Sequence, residues 1–148
     1  MSRVESCQSV EQPGWLELRA ALWPQDSVAQ HRAEMAAFLA EPRRHGQFVA
    51  YADDGSPAGF AEASVRSDYV NGTQSSPVAF LEGIYVAPAA RRQGVARALV
   101  RAVEAWARQR GCRELASDAW LENTASHAMH RALGFVETER VVYFRRPL

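Results

Sequence analysis

Residues 80–110 read as a strand, a glycine-containing loop and a long amphipathic helix, in that order. The strand is an apolar run from Phe80 to Val86 that is interrupted by one acid, Glu82, and it ends before Pro88. The segment RRQGVA at 91–96 then opens the helix. The first N–H groups of a helix lack intrahelical acceptors and lie at the positive end of its dipole, and a glycine there lets an anion approach closely. This stretch therefore predicts a phosphate-binding site at the start of the helix.

The composition and the distribution of charge limit the class of protein. The 148 residues are 47% hydrophobic and 23% charged, which predicts one globular domain at 1–148. The formal net charge is zero, which argues against nonspecific nucleic-acid or membrane binding. Residues 1–90 contain six Arg and eleven acids, whereas residues 91–148 contain eleven Arg and six acids. The first part is thus suited to a cationic ligand and the second to an anionic one.

The cysteines and the N-terminal sequence give an expectation about location. Cys7 and Cys112 are the only cysteines, and their spacing is not that of a metal site. No N-terminal apolar segment resembles a signal peptide or a membrane span. We therefore expect a reduced, cytoplasmic protein that contains no metal.

Hydrophobic periodicity, caps and turn residues predict ten elements of secondary structure. In order they are a strand at 3–7, helices at 15–23 and 27–39, strands at 47–51, 59–65 and 78–86, a helix at 92–110, a strand at 113–118, a helix that begins at Asn123 and a strand at 135–144. Asp26 or Ser27 is the expected cap of the second helix. This order predicts a mixed sheet with helices packed on it.

Two of these helices have an identifiable apolar side. In the helix at 92–110, Val95, Leu99, Val103 and Trp106 line one face, and Gly111 is suited to end the helix. The side expected to point inward in the helix that begins at Asn123 consists of Ala125, Ala128, Met129, Ala132 and Leu133.

The loop at 91–96 also matches a family pattern. Arg91, Gly94 and Ala96 fit the order Arg or Gln, two residues, Gly, one residue, and Gly or Ala. With the preceding strand and the later helix that opens at Asn123 and closes near Gly134, nearly the whole chain resembles the general N-acetyltransferase (GNAT) superfamily. The resemblance implies a mixed α/β fold with a central, mostly antiparallel sheet and about four flanking helices. It also implies that the fourth and fifth strands splay apart to admit acetyl-CoA.

The resemblance further implies which residues bind acetyl-CoA. The pantetheine arm would pair with the strand before the loop, and the pyrophosphate would lie on backbone N–H groups of the loop. Both contacts are physically reasonable, because extended amide chains pair with strand edges and N–H nests suit anions. The matching positions are Ile84, Tyr85, Val86, Arg92, Gln93, Gly94, Val95, Ala96, Arg97 and, from a later helix, Asn123.

Two carboxylates are candidates for a general base. An alkyl amine with a pKa of about 10.4 is neutral at pH 7 in only a few of roughly ten thousand molecules, so its proton must be removed. In an extended strand Glu82 would share a face with Phe80, Ile84 and Val86, where an acid is costly unless it is used or paired. Asp118 ends the following strand, at the edge where such sheets place ligands. Either acid can accept the proton directly or through a water, and the sequence does not decide between them.

The group that protonates the leaving thiolate is also open. The superfamily pattern has a Tyr seven residues after the helix-opening Asn, and His130 occupies that position here. The alternatives are His130, Tyr143 from the last strand, and solvent. Solvent could suffice because a thiolate whose thiol has a pKa of about 8.5 leaves readily.

A second, narrower resemblance concerns the amine. Several segments are similar to aminoglycoside 6′-N-acetyltransferases: 22–24, 68–72, 75–77, 80–84, 116–118 and 137–140. The residues that the resemblance implies in antibiotic binding are Trp23, Tyr69, Glu82, Asp118 and Glu139. Aromatic rings and carboxylates are suited to polycationic sugars.

These observations lead to one leading hypothesis and two alternatives. The first is direct acetyl transfer from acetyl-CoA to the 6′-amine of an aminoglycoside in a ternary complex, which would give antibiotic resistance. The alternatives are acetylation of a polyamine or another small metabolic amine, and a non-catalytic acyl-CoA sensor. The resemblance also implies a homodimer, and the apolar run at 141–144 would be a hazard as a bare strand edge.

Overall fold

A five-stranded sheet organises the first part of the chain in the computed structural model, which describes residues 3–148. Its strands are β1 (Arg3–Ser6), β2 (His45–Tyr51), β3 (Pro57–Arg66), β4 (Val78–Val86) and β5 (Leu115–Ala116). They lie in sequence order across the sheet. The first three pairings are antiparallel, and only β4 and β5 are parallel. The predicted mixed, mostly antiparallel sheet is thus confirmed.

Four helices were expected, and four α-helices are observed in the described chain. They are α1 (Trp15–Leu22), α2 (Val28–Ala40), α3 (Val95–Gln109) and α4 (Thr124–Ala132). Ser27, not Asp26, caps α2: its hydroxyl accepts from Gln30 N–H while the Gln30 side chain accepts from Ser27 N–H. Asn123 caps α4 by accepting from Ser126 N–H.

The helices of the first part cover both faces of the sheet. A Cβ placed on Gly83 of β4 would lie 2.5 Å from the Trp23 ring beside α1, whereas one on Gly59 of β3 would lie 3.3 Å from Leu99 of α3. The predicted inward face of α3 is confirmed, because all four of its residues are buried. Burial of a large apolar side chain contributes about 1.5–3 kcal/mol to stability. The buried face therefore holds α3 against the sheet and fixes the position of the loop that precedes the helix.

The helix after the loop begins later than its sequence predicts. The predicted start was Arg92, but α3 begins at Val95. Arg92 has a φ of 63° and Gly94 a φ of 80°, both in the left-handed region, which a right-handed helix cannot contain. The residues before Val95 therefore form a loop, with a short 3-10 turn at Pro88–Ala90.

The chain divides into two compact units, and the second, Asp118–Leu148, differs most from expectation. None of the residues of α4 is buried: Ala125, Ala128 and Ala132 are exposed, and Met129 is only half-buried. The prediction that the apolar side of α4, with Leu133, packs inward was therefore largely wrong.

The predicted strand at 135–144 was also wrong. Residues 135–148 have no regular secondary structure, and Val142, Tyr143 and Phe144 are 74%, 82% and 91% exposed. An apolar run forms a strand only where a neighbouring strand can accept its backbone hydrogen bonds, and no such pairing occurs in the described chain. The strand predicted at 113–118 is similarly reduced to Leu115–Ala116. In residues 3–148 no helix is long and apolar enough to cross a membrane.

Candidate active site

A β-bulge in β4 places Glu82. In the β3–β4 register Glu62 pairs with Gly83 and Ala63 pairs with Leu81, so Glu82 is an extra residue without a partner in the ladder. Gly83 follows directly, and because it has no side chain the Trp23 ring can lie against its backbone.

The bulge changes which side chains surround Glu82. The sequence predicted that it would share a face with Phe80, Ile84 and Val86. Beyond the bulge the alternation is shifted by one residue, so that Val86 pairs with Gly59, whose α-carbon faces α3. Of the three predicted neighbours, only Phe80 therefore shares a face with Glu82. Its side chain is 35% exposed, so the prediction that apolar neighbours enclose it was wrong.

Two side chains of β3 bind the Glu82 carboxylate. Ser64 Oγ donates to Oε2, and Arg66 Nη2 donates to both carboxylate oxygens at 2.9 Å. The Arg66 guanidinium also lies 3.7 Å from the centre of the Phe80 ring. The carboxylate is thus held in one orientation, and a substrate ammonium has to compete with or join Arg66.

Glu82 opens onto a cavity of about 510 Å³ in the first unit. Residues of α1, α2, β2, β3 and β4 line it, and Trp23 lies in its wall. This volume suits a small-molecule ligand. The structure thus brings together two of the predicted amine-binding residues, Trp23 and Glu82. A third, Tyr69, is 74% exposed in the loop before β4 and does not line the cavity.

A buried charge network forms the floor of this cavity. Arg19 Nη1 donates to both Glu62 oxygens, and Trp15 Nε1 donates to Glu62 Oε2 at 2.8 Å. Arg19 also donates from Nε to His31 Nδ1 at 3.2 Å and pairs with Glu34 at 3.3 Å. Burial raises the pKa of Glu62, and the Arg19 guanidinium opposes that rise.

The same network fixes the Trp23 ring. The Arg19 guanidinium lies 4.9 Å from the centre of that ring, and His31 Nε2 lies 3.1 Å from the Trp23 carbonyl oxygen. The wall that faces Glu82 is therefore positioned by charged groups beneath it. None of these was predicted as part of the site.

The loop before α3 presents backbone donors to solvent. The first intrahelical bond runs from Ala98 N–H to Gly94 O at 3.0 Å, so Val95 and Ala96 N–H precede it. No atom lies within 4 Å of a Cβ placed on Gly94, which leaves open space above the loop. Arg92 and Gly94 are in the left-handed region, which is typical of the backbone nests that bind anions. The predicted phosphate site retains this geometry despite the later helix start.

The end of β4 has a free edge on the side of β5. Only Ala79 and Phe80 of β4 pair with β5, so Ile84, Tyr85 and Val86 have no β5 partner. Arg91 Nε donates to Val86 O at 3.0 Å from this region. An extended amide chain can pair with such an edge. The expected separation of the fourth and fifth strands is confirmed, because the two strands pair only at Ala79 and Phe80.

The remaining predicted residues belong to the second unit. Asp118 follows β5 by two residues, and both Asp118 and Glu139 are exposed. Asn123 uses its side-chain oxygen to cap α4. Their roles toward a ligand stay predictions.

The two proposed proton donors differ in their surroundings. His130 Nδ1 lies 2.7 Å from Ser126 O, and its ring meets Phe135 edge-on at 5.1 Å between centres. Tyr143 is exposed in the irregular C-terminal segment. His130 is thus held in a defined orientation.

Sequence reasoning missed Ser64, Arg66, Glu62 and Arg19. One signal was present, since Glu62 interrupts an apolar strand in the same way as Glu82 does. The pairing of these residues with one another depends on the strand register and could not be read from the chain.

Comparison with known proteins agrees with this architecture. Residues 15–135 match the model of the Acetyltransferase (GNAT) family. The aminoglycoside N(6′)-acetyltransferase type 1 of Serratia marcescens is 54% identical over 142 residues, which are 96% of this chain and 97% of that protein. That of Acinetobacter haemolyticus is 58% identical over 134 residues, or 90% of each chain.

Solved structures are similar over the full length. AAC(6′)-Iy in complex with the bisubstrate analogue CoA-S-monomethyl-acetylneamine has a TM-score of 0.93 and 45% identity, covering 100% of this chain and 99% of that one. AAC(6′)-Ih from Acinetobacter baumannii also has a TM-score of 0.93, with 50% identity and the same coverage. This chain therefore belongs to the acetyltransferase (GNAT) family.

Proposed function

We propose that this protein is an aminoglycoside 6′-N-acetyltransferase, which uses acetyl-CoA and confers resistance to the antibiotic. The observation that supports it best is the cavity lined by Trp23, Glu82 and further acids, because an aromatic wall and carboxylates suit a polycationic sugar. The names of the relatives and of the solved structures agree with this substrate. Residues 1–148 act as one N-acetyltransferase domain, and the supply of acetyl-CoA favours a cytoplasmic location.

The residues present fit acetyl-CoA. Backbone N–H groups from Arg92 to Arg97 would hold the pyrophosphate, and the edge at Ile84, Tyr85 and Val86, which has no β5 partner, would pair with the pantetheine arm. Asn123 would contact the cofactor from the start of α4. When bound, the co-substrate supplies an acetyl thioester, and the left-handed Gly94 keeps the loop open for the phosphates.

The amine is oriented in the cavity and loses its proton there. Trp23, Tyr69 and Glu139 bind the sugar, while Glu82 or Asp118 attracts the ammonium group and accepts its proton, directly or through a water. Transfer is direct within a ternary complex. The thiols do not take part, because burial raises the pKa of Cys7 and of Cys112 and keeps both protonated. His130, Tyr143 or solvent returns a proton to the thiolate.

A coupled assay of CoA release tests this function. We expect kanamycin and tobramycin to be acetylated with a kcat/KM at least about tenfold above that of spermidine or putrescine, since their additional groups supply binding energy in the cavity. Mass spectrometry of the product then locates the acetyl group on the 6′-amine. Higher efficiency with the polyamines would favour the metabolic alternative. Binding of acetyl-CoA without CoA release for any amine would indicate a sensor.

The C-terminal segment supports a homodimer. Val142, Tyr143 and Phe144 are exposed next to one another, and an apolar extended segment of this kind favours pairing with another chain. We expect the purified protein to have twice the 16.4 kDa mass of the chain in light scattering. The double variant Val142→Glu/Phe144→Glu should shift it to monomer, whereas Gln109→Glu on the exposed surface of α3 should not. A monomeric wild-type protein at micromolar concentration would contradict the proposal.

A further inference from the structure

Two further acids line the same cavity as Glu82. Asp26, which follows α1, and Glu34 of α2 both line the cavity. Their carboxylate oxygens lie within 4.8 Å of each other. Glu34 shares Arg19 with Glu62, and within residues 3–148 Asp26 has no ion pair. Two carboxylates thus lie close together in the cavity wall, an arrangement that a positively charged ligand would stabilise.

A metal ion does not explain this pair of acids. The third residue beside them is the buried His31, which would have to supply a ring nitrogen as a ligand. His31 Nδ1 accepts from Arg19 Nε, and Nε2 faces the Trp23 carbonyl oxygen at 3.1 Å and donates to it. Both nitrogens are occupied. The two acids alone remain, and they suit an ammonium group.

An independent feature of the same cavity indicates a hydroxyl group. Gln47 of β2 is 4% exposed and lines the cavity, and its Nε2 has no hydrogen-bond partner in the described chain. Gln47 pairs with Glu62 across the strands, so its side chain lies on the sheet face that α1 and α2 cover. A buried amide donor without an acceptor is costly, and a ligand oxygen would remove that cost.

We propose that Asp26, Glu34 and Gln47 form a second subsite that recognises the acceptor away from its reacting amine. The two carboxylates bind another ammonium group of the amino sugar, and Gln47 Nε2 donates to one of its hydroxyl or ether oxygens. This inference rests on the proposed function and adds a basis for specificity. A linear polyamine offers the cations but no oxygen, so it leaves Gln47 without a partner.

Binding measurements separate this subsite from the reaction itself. Isothermal titration calorimetry with kanamycin should show about tenfold or greater weakening in Asp26→Asn/Glu34→Gln, because both charge-assisted contacts are lost. Acetyl-CoA affinity should stay within about twofold of wild type, because the cofactor residues are untouched. Glu17→Gln, which removes an exposed acid of α1 outside the cavity, should change neither affinity. If the double variant does not fold, Asp26→Asn alone serves, with an expected loss of about threefold.

Gln47→Met tests the hydroxyl contact with a readout that a structural role would not give. The side chain keeps a similar volume and loses an unpartnered donor, so the urea midpoint should stay the same or rise. Kanamycin affinity should fall about threefold, and spermidine affinity should not change.

Each result has a defined meaning. Kanamycin affinities within twofold of wild type in all the variants would overturn the subsite, even if acetylation is normal. Tight Zn²⁺ binding that the double variant abolishes would overturn its assignment to an ammonium group. If the wild-type protein binds kanamycin without acetylating it, the proposed function fails and the affinity ratios still decide the subsite. If it does not bind kanamycin, both are overturned.

Discussion

Glu82→Gln should lower kcat for kanamycin by about a hundredfold or more, while the Kd for acetyl-CoA changes less than about twofold. General-base catalysis contributes about 10²–10⁴-fold, and the amide keeps the size of the side chain but cannot accept the proton. Ser64 and Arg66 hold the carboxylate, so its replacement removes a fixed group rather than a mobile one. Single-turnover kinetics with saturating acetyl-CoA, together with cofactor titration, measure the two quantities. An equal loss of cofactor affinity would count against a role on the amine side.

Asp118→Asn tests the other candidate base and is compared directly with Glu82→Gln. If Asp118 is the base, its variant shows the large loss of kcat, and the fall of activity toward low pH changes shape. If Glu82 is the base, the same variant weakens amine binding while the pH profile of kcat stays that of wild type. Arg66→Met provides a further control, because it removes the ion pair of Glu82 and leaves the carboxylate in place. A surface ion pair of this kind contributes about 0–1 kcal/mol to folding, so this variant should fold normally.

Local signals were sufficient for the elements that surround the site. The bounds predicted for β4 at 78–86 are those observed, because an apolar run between a turn-rich loop and Pro88 has few other solutions. The inward face of α3 followed from its 3.6-residue period.

Non-local pairing accounts for what the sequence did not give. Strict alternation put Glu82 on a face with Ile84 and Val86, but one extra residue in the ladder reversed the faces beyond it. That shift depends on β3, from which Ser64 and Arg66 also reach Glu82. The side chains that bind a residue through strand register cannot be identified from its own segment.

The C-terminal segment shows that local β propensity is not sufficient to predict a strand. The run at 141–144 has strong β propensity, yet propensity alone supplies no neighbouring strand. Because this run is exposed, the residues that do not form the predicted strand are the ones that we propose to pair in the dimer.

Glu62→Gln should lower the free energy of unfolding by about 3 kcal/mol, because it leaves Arg19 buried without its main counter-ion. The amide oxygen can still accept from Trp15 Nε1, so the loss reports on the charge rather than on that hydrogen bond. Urea denaturation followed by Trp fluorescence measures it. The exposed-pair variant Glu104→Gln on α3 should cost less than about 0.5 kcal/mol.

The double variant Arg19→Met/Glu62→Gln distinguishes stability from positioning. The attraction between these two buried charges is offset by the cost of removing both from water. Removing both charges should therefore recover most of the lost stability. It should not recover KM for kanamycin, which we expect to rise about tenfold, because Arg19 no longer holds the Trp23 ring against Gly83. Recovery of both quantities would show that the pair serves folding alone. Recovery of stability without recovery of KM would show that a buried charge pair is retained to position the wall that faces Glu82.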